Sequence, residues 1–184
     1  MAAIVAVGMP GSGKDTLLKA AISLGFMHTS MGDVVRSHAA KLNIEHSDAA
    51  IGGFANSERE RHGPAIWAER ALETLPPGDV IIDGSRSLHE IDFFRKRLGR
   101  GLKVIAVKAP LEIRFRRLQA RNRADAPRTM EEFVRREERE LAWGLGTAIE
   151  NADITLDNGA SLDEFESVCM ATLKRVLEGN GKSI

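Results

Sequence analysis

Glycines at positions 8, 11 and 13, with a lysine directly after the last, are the residues of this chain best placed to do chemistry. They lie in Gly8-Met9-Pro10-Gly11-Ser12-Gly13-Lys14-Asp15-Thr16, behind the apolar run Ala3-Ile4-Val5-Ala6-Val7. The spacing is G-x-x-x-x-G-K, a Walker A pattern, with an apolar strand before it and a helical pattern after it. Glycines let the backbone curl so that successive N–H groups converge on phosphate oxygens. A helix that begins near Lys14 adds the positive end of its dipole, and the lysine brings a full charge to the outer phosphates. Gly8, Pro10, Gly11, Ser12, Gly13, Lys14, Asp15 and Thr16 are therefore candidate contacts for a nucleoside triphosphate, taken as ATP.

The position after the lysine departs from the pattern. Ser or Thr, the usual magnesium ligand, is replaced by Asp15. Either Asp15 supplies the oxygen to Mg²⁺ or its water shell, or Thr16 serves the phosphates and water holds the ion. An acid in a first helical turn is also favoured by the dipole alone. A second acid, Asp83, ends the apolar run Val80-Ile81-Ile82. Ligands of open α/β sheets sit at the carboxyl ends of the strands, so Asp83 is a candidate for orienting hydrated Mg²⁺, against the plainer reading of a cap for the next turn.

These groups need elements to hold them. Short β-rich runs alternate with helical patterns: strands are expected at 3–7, 26–29, 79–83, 103–108 and 154–156. Helices are expected at 14–24, 33–42, 64–75, 88–98, after Pro110, at 129–149 and at 161–177, where Ser161 and Glu164 form a capping box. Residues 43–63 give no clear pattern. The alternation argues for an α/β fold, a three-layer sandwich with a central parallel five-stranded sheet and helices on both faces.

Composition narrows the class. The chain has 184 residues, 43% of them hydrophobic, with 26 basic and 26 acidic side chains. That length suits one domain, 1–184, and the balanced charge disfavours a dedicated nucleic-acid binder. The first apolar run is too short to span a membrane. One cysteine, Cys169, excludes an internal disulfide and fits a cytoplasmic setting. The histidines and Cys169 show no ligand spacing, so neither zinc nor a thiol nucleophile is expected.

Four segments carry a family resemblance. The loop from Gly8 to Thr16 resembles that of the adenylate kinases, with Asp15 replacing a glycine. Ser30-Met31-Gly32-Asp33-Val34-Val35-Arg36 and Asp83-Gly84-Ser85-Arg86 resemble two further segments of those kinases, the second one residue shorter. Ala152-Asp153-Ile154-Thr155-Leu156-Asp157-Asn158-Gly159 resembles a segment near the end of dephospho-CoA kinases. Together with Glu138-Arg139-Glu140-Leu141-Ala142-Trp143-Gly144, they are most similar to an archaeal adenylate-kinase-related, dephospho-CoA-kinase-like group within the P-loop nucleoside monophosphate kinase superfamily.

The resemblance implies an acceptor-binding insertion at 30–75 and a short lid at 117–130. It places Arg36 and Arg86 on the acceptor's phosphate, where guanidinium forks bind oxygens in pairs, and Asp33 as the cap of the helix entering the insertion. Met31 replaces a threonine that helps hold AMP. Arg114, Arg116, Arg117, Arg121, Arg123 and Arg128 crowd one segment. Such a run is usually a solvated face, here with Glu131, Glu132, Glu137 and Glu138 close in sequence. The sharper reading takes Arg117, Arg121 and Arg123 as lid arginines, with Arg136 and Arg139 facing them; Arg117 would contact the nucleotide, and Arg121, Arg123 and Arg139 the transferring phosphoryl group with Lys14. Residues 157–160 would border adenine through their backbone. Trp143 reads as a core anchor, with base stacking as the alternative.

The function these features imply is an ATP-dependent small-molecule kinase, its acceptor a nucleoside monophosphate, dephospho-CoA or a metabolite such as a mevalonate phosphate. The alternatives are an ATPase switch acting on a protein partner and a nucleic-acid end kinase. The first needs no acceptor pocket, and the second lacks a basic or aromatic platform.

Overall fold

The computed structural model describes residues 1–99, 101–120 and 127–179. Five strands make one sheet: β1 (Ala3–Val7), β2 (Met27–Ser30), β3 (Val80–Asp83), β4 (Leu102–Lys108) and β5 (Ile154–Asp157). Their order is β2-β3-β1-β4-β5, and every pairing is parallel. The chain leaves β1 toward one side of the sheet and later returns to fill the other, so β1 stands at the reversal of strand order. That reversal opens a crevice at the carboxyl ends of the strands. Register brings Ala6 opposite Asp83, which sets the acid at the end of β3 beside the end of β1.

Strand alternation divides the core into two layers. Ala3, Val5 and Val7 face one side, with Val80, Ile82, Val104 and Ala106. That side is covered by α2 (Met31–Lys41), α3 (Asp48–His62), α4 (Ile66–Glu73), α5 (Leu88–Leu98) and α8 (Leu145–Glu150). Ile4 and Ala6 face the other, under α1 (Lys14–Ser23) and α9 (Leu162–Gly179). The remaining helices, α6 (Leu111–Ala120) and α7 (Met130–Ala142), stand over the carboxyl ends of the strands. The α/β sandwich and five-stranded parallel sheet read from the sequence are thus the observed ones.

Three elements differ from the sequence reading. Helix α3 fills the stretch that showed no pattern: the Ser47 side chain caps it by accepting from Ala50 N, and Gly63, at φ +100°, closes it. Two internal glycines and a weak apolar stripe hide it in sequence; tertiary packing stabilises it, with Ala55 in the core and its carbonyl accepting from Trp67 Nε1 at 3.0 Å. Helix α4 starts at Ile66 rather than Pro64, which lies in the preceding turn. The long helix expected at 129–149 is two helices, α7 and α8, parted by Gly144 at φ +99°. At the end of the fold the Ser161–Glu164 capping box forms, with Ser161 N donating to Glu164 Oε2 at 3.0 Å and Glu164 N to Ser161 Oγ at 3.4 Å.

Candidate active site

The loop between β1 and α1 is bent by glycines that no other residue could replace without strain. Gly11 has φ +78°, and a Cβ there would come within 2.5 Å of the Arg114 carbonyl oxygen. Gly13, at φ +100°, lies directly under the Asn158 side chain. Behind the loop, Asn158 Nδ2 donates to Ser12 O at 2.8 Å, and Arg117 donates to Ser12 O at 3.4 Å and to Asn158 Oδ1 at 3.0 Å. A side chain after β5 and one from α6 thus hold the loop's shape. Ser12 is buried, and its Oγ has no hydrogen-bond partner among the described residues.

Inside the curl, Lys14 Nζ donates to Gly8 O at 2.7 Å. Loss of hydration lowers the lysine's pKa, the nearby Asp83 and Glu140 carboxylates oppose that shift, and Arg86 adds to it. Phosphate oxygens would relieve the same penalty. Asp83 Oδ1 is buried without a hydrogen-bond partner among the described residues.

A polar cavity of about 240 Å³ opens from this loop. Gly8, Pro10, Gly11, Lys14 and Asp15 of the loop line it with Asp83, and so do Ser30, Arg36, Arg86, Arg136 and Glu140. Asp15 borders it; Thr16, in the same turn, is not among its lining residues.

The arginines are distributed differently from the sequence reading. Arg86 Nε donates to Glu140 Oε2 at 2.7 Å, and its backbone N–H donates to Glu90 Oε2 at 2.7 Å. Glu90 is completely buried and also accepts from Ser85 Oγ and Arg59. Arg36 lines the cavity and pairs with Asp33 at 2.5 Å. Asp33 does not cap α2: the cap is Ser30, whose hydroxyl accepts from Asp33 N, because a cap residue must precede the first turn and Asp33 lies within it.

Arg114, the first of the run, does not lie on a solvated face. It is buried in an ion pair with Glu137 and donates to the Ala109 and Pro10 carbonyls. Arg117 contacts the loop itself, through Ser12 O, and Asn158. Arg116 and Arg128 are exposed. Arg121 and Arg123 lie outside the described residues. Arg139 is not among the lining residues; its guanidinium sits 5.8 Å from the Trp143 ring, and Arg136, one turn earlier, borders the cavity instead. Trp143 is no core anchor. It is partly exposed, with Arg59, Arg86 and Arg139 at 5.7, 4.9 and 5.8 Å from its ring, because the helix break at Gly144 turns it away from the apolar layer.

Glu140, Glu90 and the Asn158 side chain escaped the sequence reading. Glu140 carried a signal: it lies four residues after Arg136, on the same helical face.

Residues 7–134 match the model of a family described as an AAA domain. A UPF0200 protein of Thermoplasma acidophilum is 42% identical over 171 residues, covering 92% of this chain and 94% of that one. The chain belongs to the UPF0200 and AAA-domain families. Among solved structures, this UPF0200 chain is similar to TT1252 of Thermus thermophilus, with TM-score 0.65 and 20% identity over 95% of this chain and 97% of that one. A gluconokinase of Sinorhizobium meliloti gives TM-score 0.57 and 18% identity over 97% and 95% of the two chains. The fold is that of the P-loop kinases. No helix among the described residues of this UPF0200 protein is long and apolar enough to cross a membrane.

Proposed function

We propose that this UPF0200 protein is an ATP-dependent kinase that moves the γ-phosphate onto a small phosphorylated acceptor. One observation carries the reading: one cavity is bordered both by the phosphate loop with Lys14 and by Arg36, Arg86 and Arg136. Two sets of anion-binding groups in one cavity suit transfer between two phosphate-bearing molecules. A gluconokinase, by its name a kinase of a small metabolite, shares the fold, which supports a small acceptor here.

The residues present fit a magnesium ion. Asp83 offers a buried oxygen with no hydrogen-bond partner among the described residues, and Asp15 borders the same space. Mg²⁺ is usually held by one or two carboxylates together with water and phosphate, and no larger His, Cys, Asp or Glu cluster gathers among the described residues. Asp83 and Asp15 would hold the ion, which when bound offsets phosphate charge. Lys14 spreads the charge of the outer phosphates, Arg86 and Arg36 align the acceptor, and the fixed dipoles need no reorganisation as charge shifts.

The test is transfer from γ-labelled ATP with Mg²⁺ to a panel of phosphorylated metabolites, with Lys14→Ala as the blank. A labelled acceptor that disappears with the variant supports the reading. Phosphate release with no labelled acceptor across the panel, stimulated instead by a protein partner, overturns it.

A further inference from the structure

The cavity has a composition that discriminates among acceptors. Its volume of about 240 Å³ includes the space beside the phosphate loop, whereas sites for drug-sized ligands occupy roughly 300–1,000 Å³. Among the described residues no aromatic side chain lines it, and its apolar lining is Pro10, Leu118 and Leu145. Trp143 has guanidiniums of three arginines within 6 Å of its ring and does not border the cavity. A nucleobase needs a flat or apolar slot, and among the described residues this space offers only those three side chains.

What it offers instead is a carboxylate. Glu140 is 5% exposed, borders the cavity, and is bonded through Oε2 to Arg86. It lies near enough to Lys14 to act on that ammonium, more strongly than either Arg86 or Asp15 does. An attacking phosphate oxygen carries no proton that must be removed, so a nucleoside monophosphate gives this acid nothing to do. An attacking hydroxyl does carry one.

We propose that the acceptor is a compact, base-free phosphate ester that attacks through a hydroxyl group, and that Glu140 receives the proton of that hydroxyl. This rests on the kinase reading above and narrows its substrate. The acceptor's phosphate sits on Arg36 and Arg86 and its hydroxyl faces Glu140. The hydroxyl oxygen bonds to the γ-phosphorus as the bond from that phosphorus to the β–γ bridging oxygen breaks. The electron pair of the broken bond leaves on ADP, and the hydroxyl proton passes to the Glu140 carboxylate, to be lost to water after product release. Glu140 is then a catalytic residue, and its ion pair with Arg86 keeps the carboxylate and the acceptor's phosphate site in fixed relation.

The experiment presents γ-labelled ATP and Mg²⁺ with three sets of acceptors: small phosphorylated sugars, polyols and hydroxy acids; the same skeletons without phosphate; and nucleoside monophosphates with dephospho-CoA. Label is expected on the hydroxyl of a member of the first set. Label on a nucleotide, or on an unphosphorylated skeleton alone, overturns the inference, and nucleotide labelling does so while leaving the kinase reading standing. Absence of label on every acceptor, with ATP cleavage stimulated instead by a protein partner, overturns both. With the labelled acceptor in hand, Glu140→Gln should lower kcat by about 10²–10⁴-fold with acceptor KM changed by less than about threefold, and Glu140→Asp should recover part of that loss. A rise in KM with unchanged kcat would reduce Glu140 to a support for Arg86 and overturn its proton-accepting role. ATP-induced thermal stabilisation of each variant verifies that it is folded.

Discussion

Lys14 shows how one residue sets both stability and binding. Burial lowers its pKa from 10.5, so the folded state penalises the charged form. Below the folded value both states carry the proton and the penalty is full. Between the folded value and 10.5 the unfolded chain binds more protons, so stability rises with pH, and above 10.5 the penalty is gone. Removing the charge should therefore help the empty protein and harm the loaded one: Lys14→Met is expected to raise Tm without nucleotide and to abolish the Tm increase that ATP gives, read by thermal denaturation with and without ATP. An unchanged ATP shift would remove Lys14 from the phosphate site. Arg86 presents the opposite case, a cation with a carboxylate partner and a planar fork. Arg86→Ala should lower kcat/KM for transfer by roughly 10–100-fold, the equivalent of one charged hydrogen bond, with little change in ATP affinity. Arg86→Lys should recover little, since an ammonium cannot hold Glu140 and present a fork together. Equal losses in transfer and ATP binding would move Arg86 to the nucleotide. Cys169 stands apart from both: burial pushes its thiol up to about 12 and leaves it inert in the core.

Elements decide how well these residues are placed, and they are unequally visible in the sequence. The inner strands β1, β3 and β4, α1 and the phosphate loop are legible because each carries a local cause: apolar runs, a glycine spacing, a lysine at a helix start. Helix α3 is not, because its helicity comes from packing by Ala55 and from the Trp67 hydrogen bond to it, and these contacts are set by tertiary structure. The arginine run misleads for the same reason. Spacing puts Arg114 and Arg117 on one face of α6, but Glu137 draws Arg114 inward and Ser12 with Asn158 hold Arg117 against the loop. From sequence Asn158 offers only a backbone contact, yet its side chain is what joins β5 to the loop after β1. Truncating it removes one donor to Ser12 O and one acceptor for Arg117. Asn158→Ala should therefore raise the Kd for ATP about 10-fold, the equivalent of one or two hydrogen bonds, while kcat at saturating ATP stays within about threefold. Calorimetric titration with ATP reads the first and the transfer assay the second. An unaltered Kd would show that the loop holds its shape without the clasp.

At the scale of the whole molecule, helix α2, which carries Arg36, and the helices α3 and α4 packed on it are built into the main core. Met31, Val35, Ala55 and Trp67, from α2, α3 and α4, belong to the same buried cluster as Val5, Ile82 and Val104 of the sheet. Trp67 is the pivot. It is fully buried, donates to Ala55 O, and meets His38 and Phe54 edge-on with ring centroids 5.6 Å apart in each case. An insertion with its own core could melt by itself; helices that share the sheet's core melt with it. Calorimetry should therefore show one unfolding transition, with calorimetric and van't Hoff enthalpies equal. Trp67→Ala should lower the stability of that one transition by about 3–5 kcal/mol rather than split it in two. A second, earlier transition confined to α2, α3 and α4 would mean that these helices fold apart from the phosphate loop. Cooperative melting would mean instead that nucleotide binding at the loop stabilises the helix that bears Arg36, because loop and helix stand on one core.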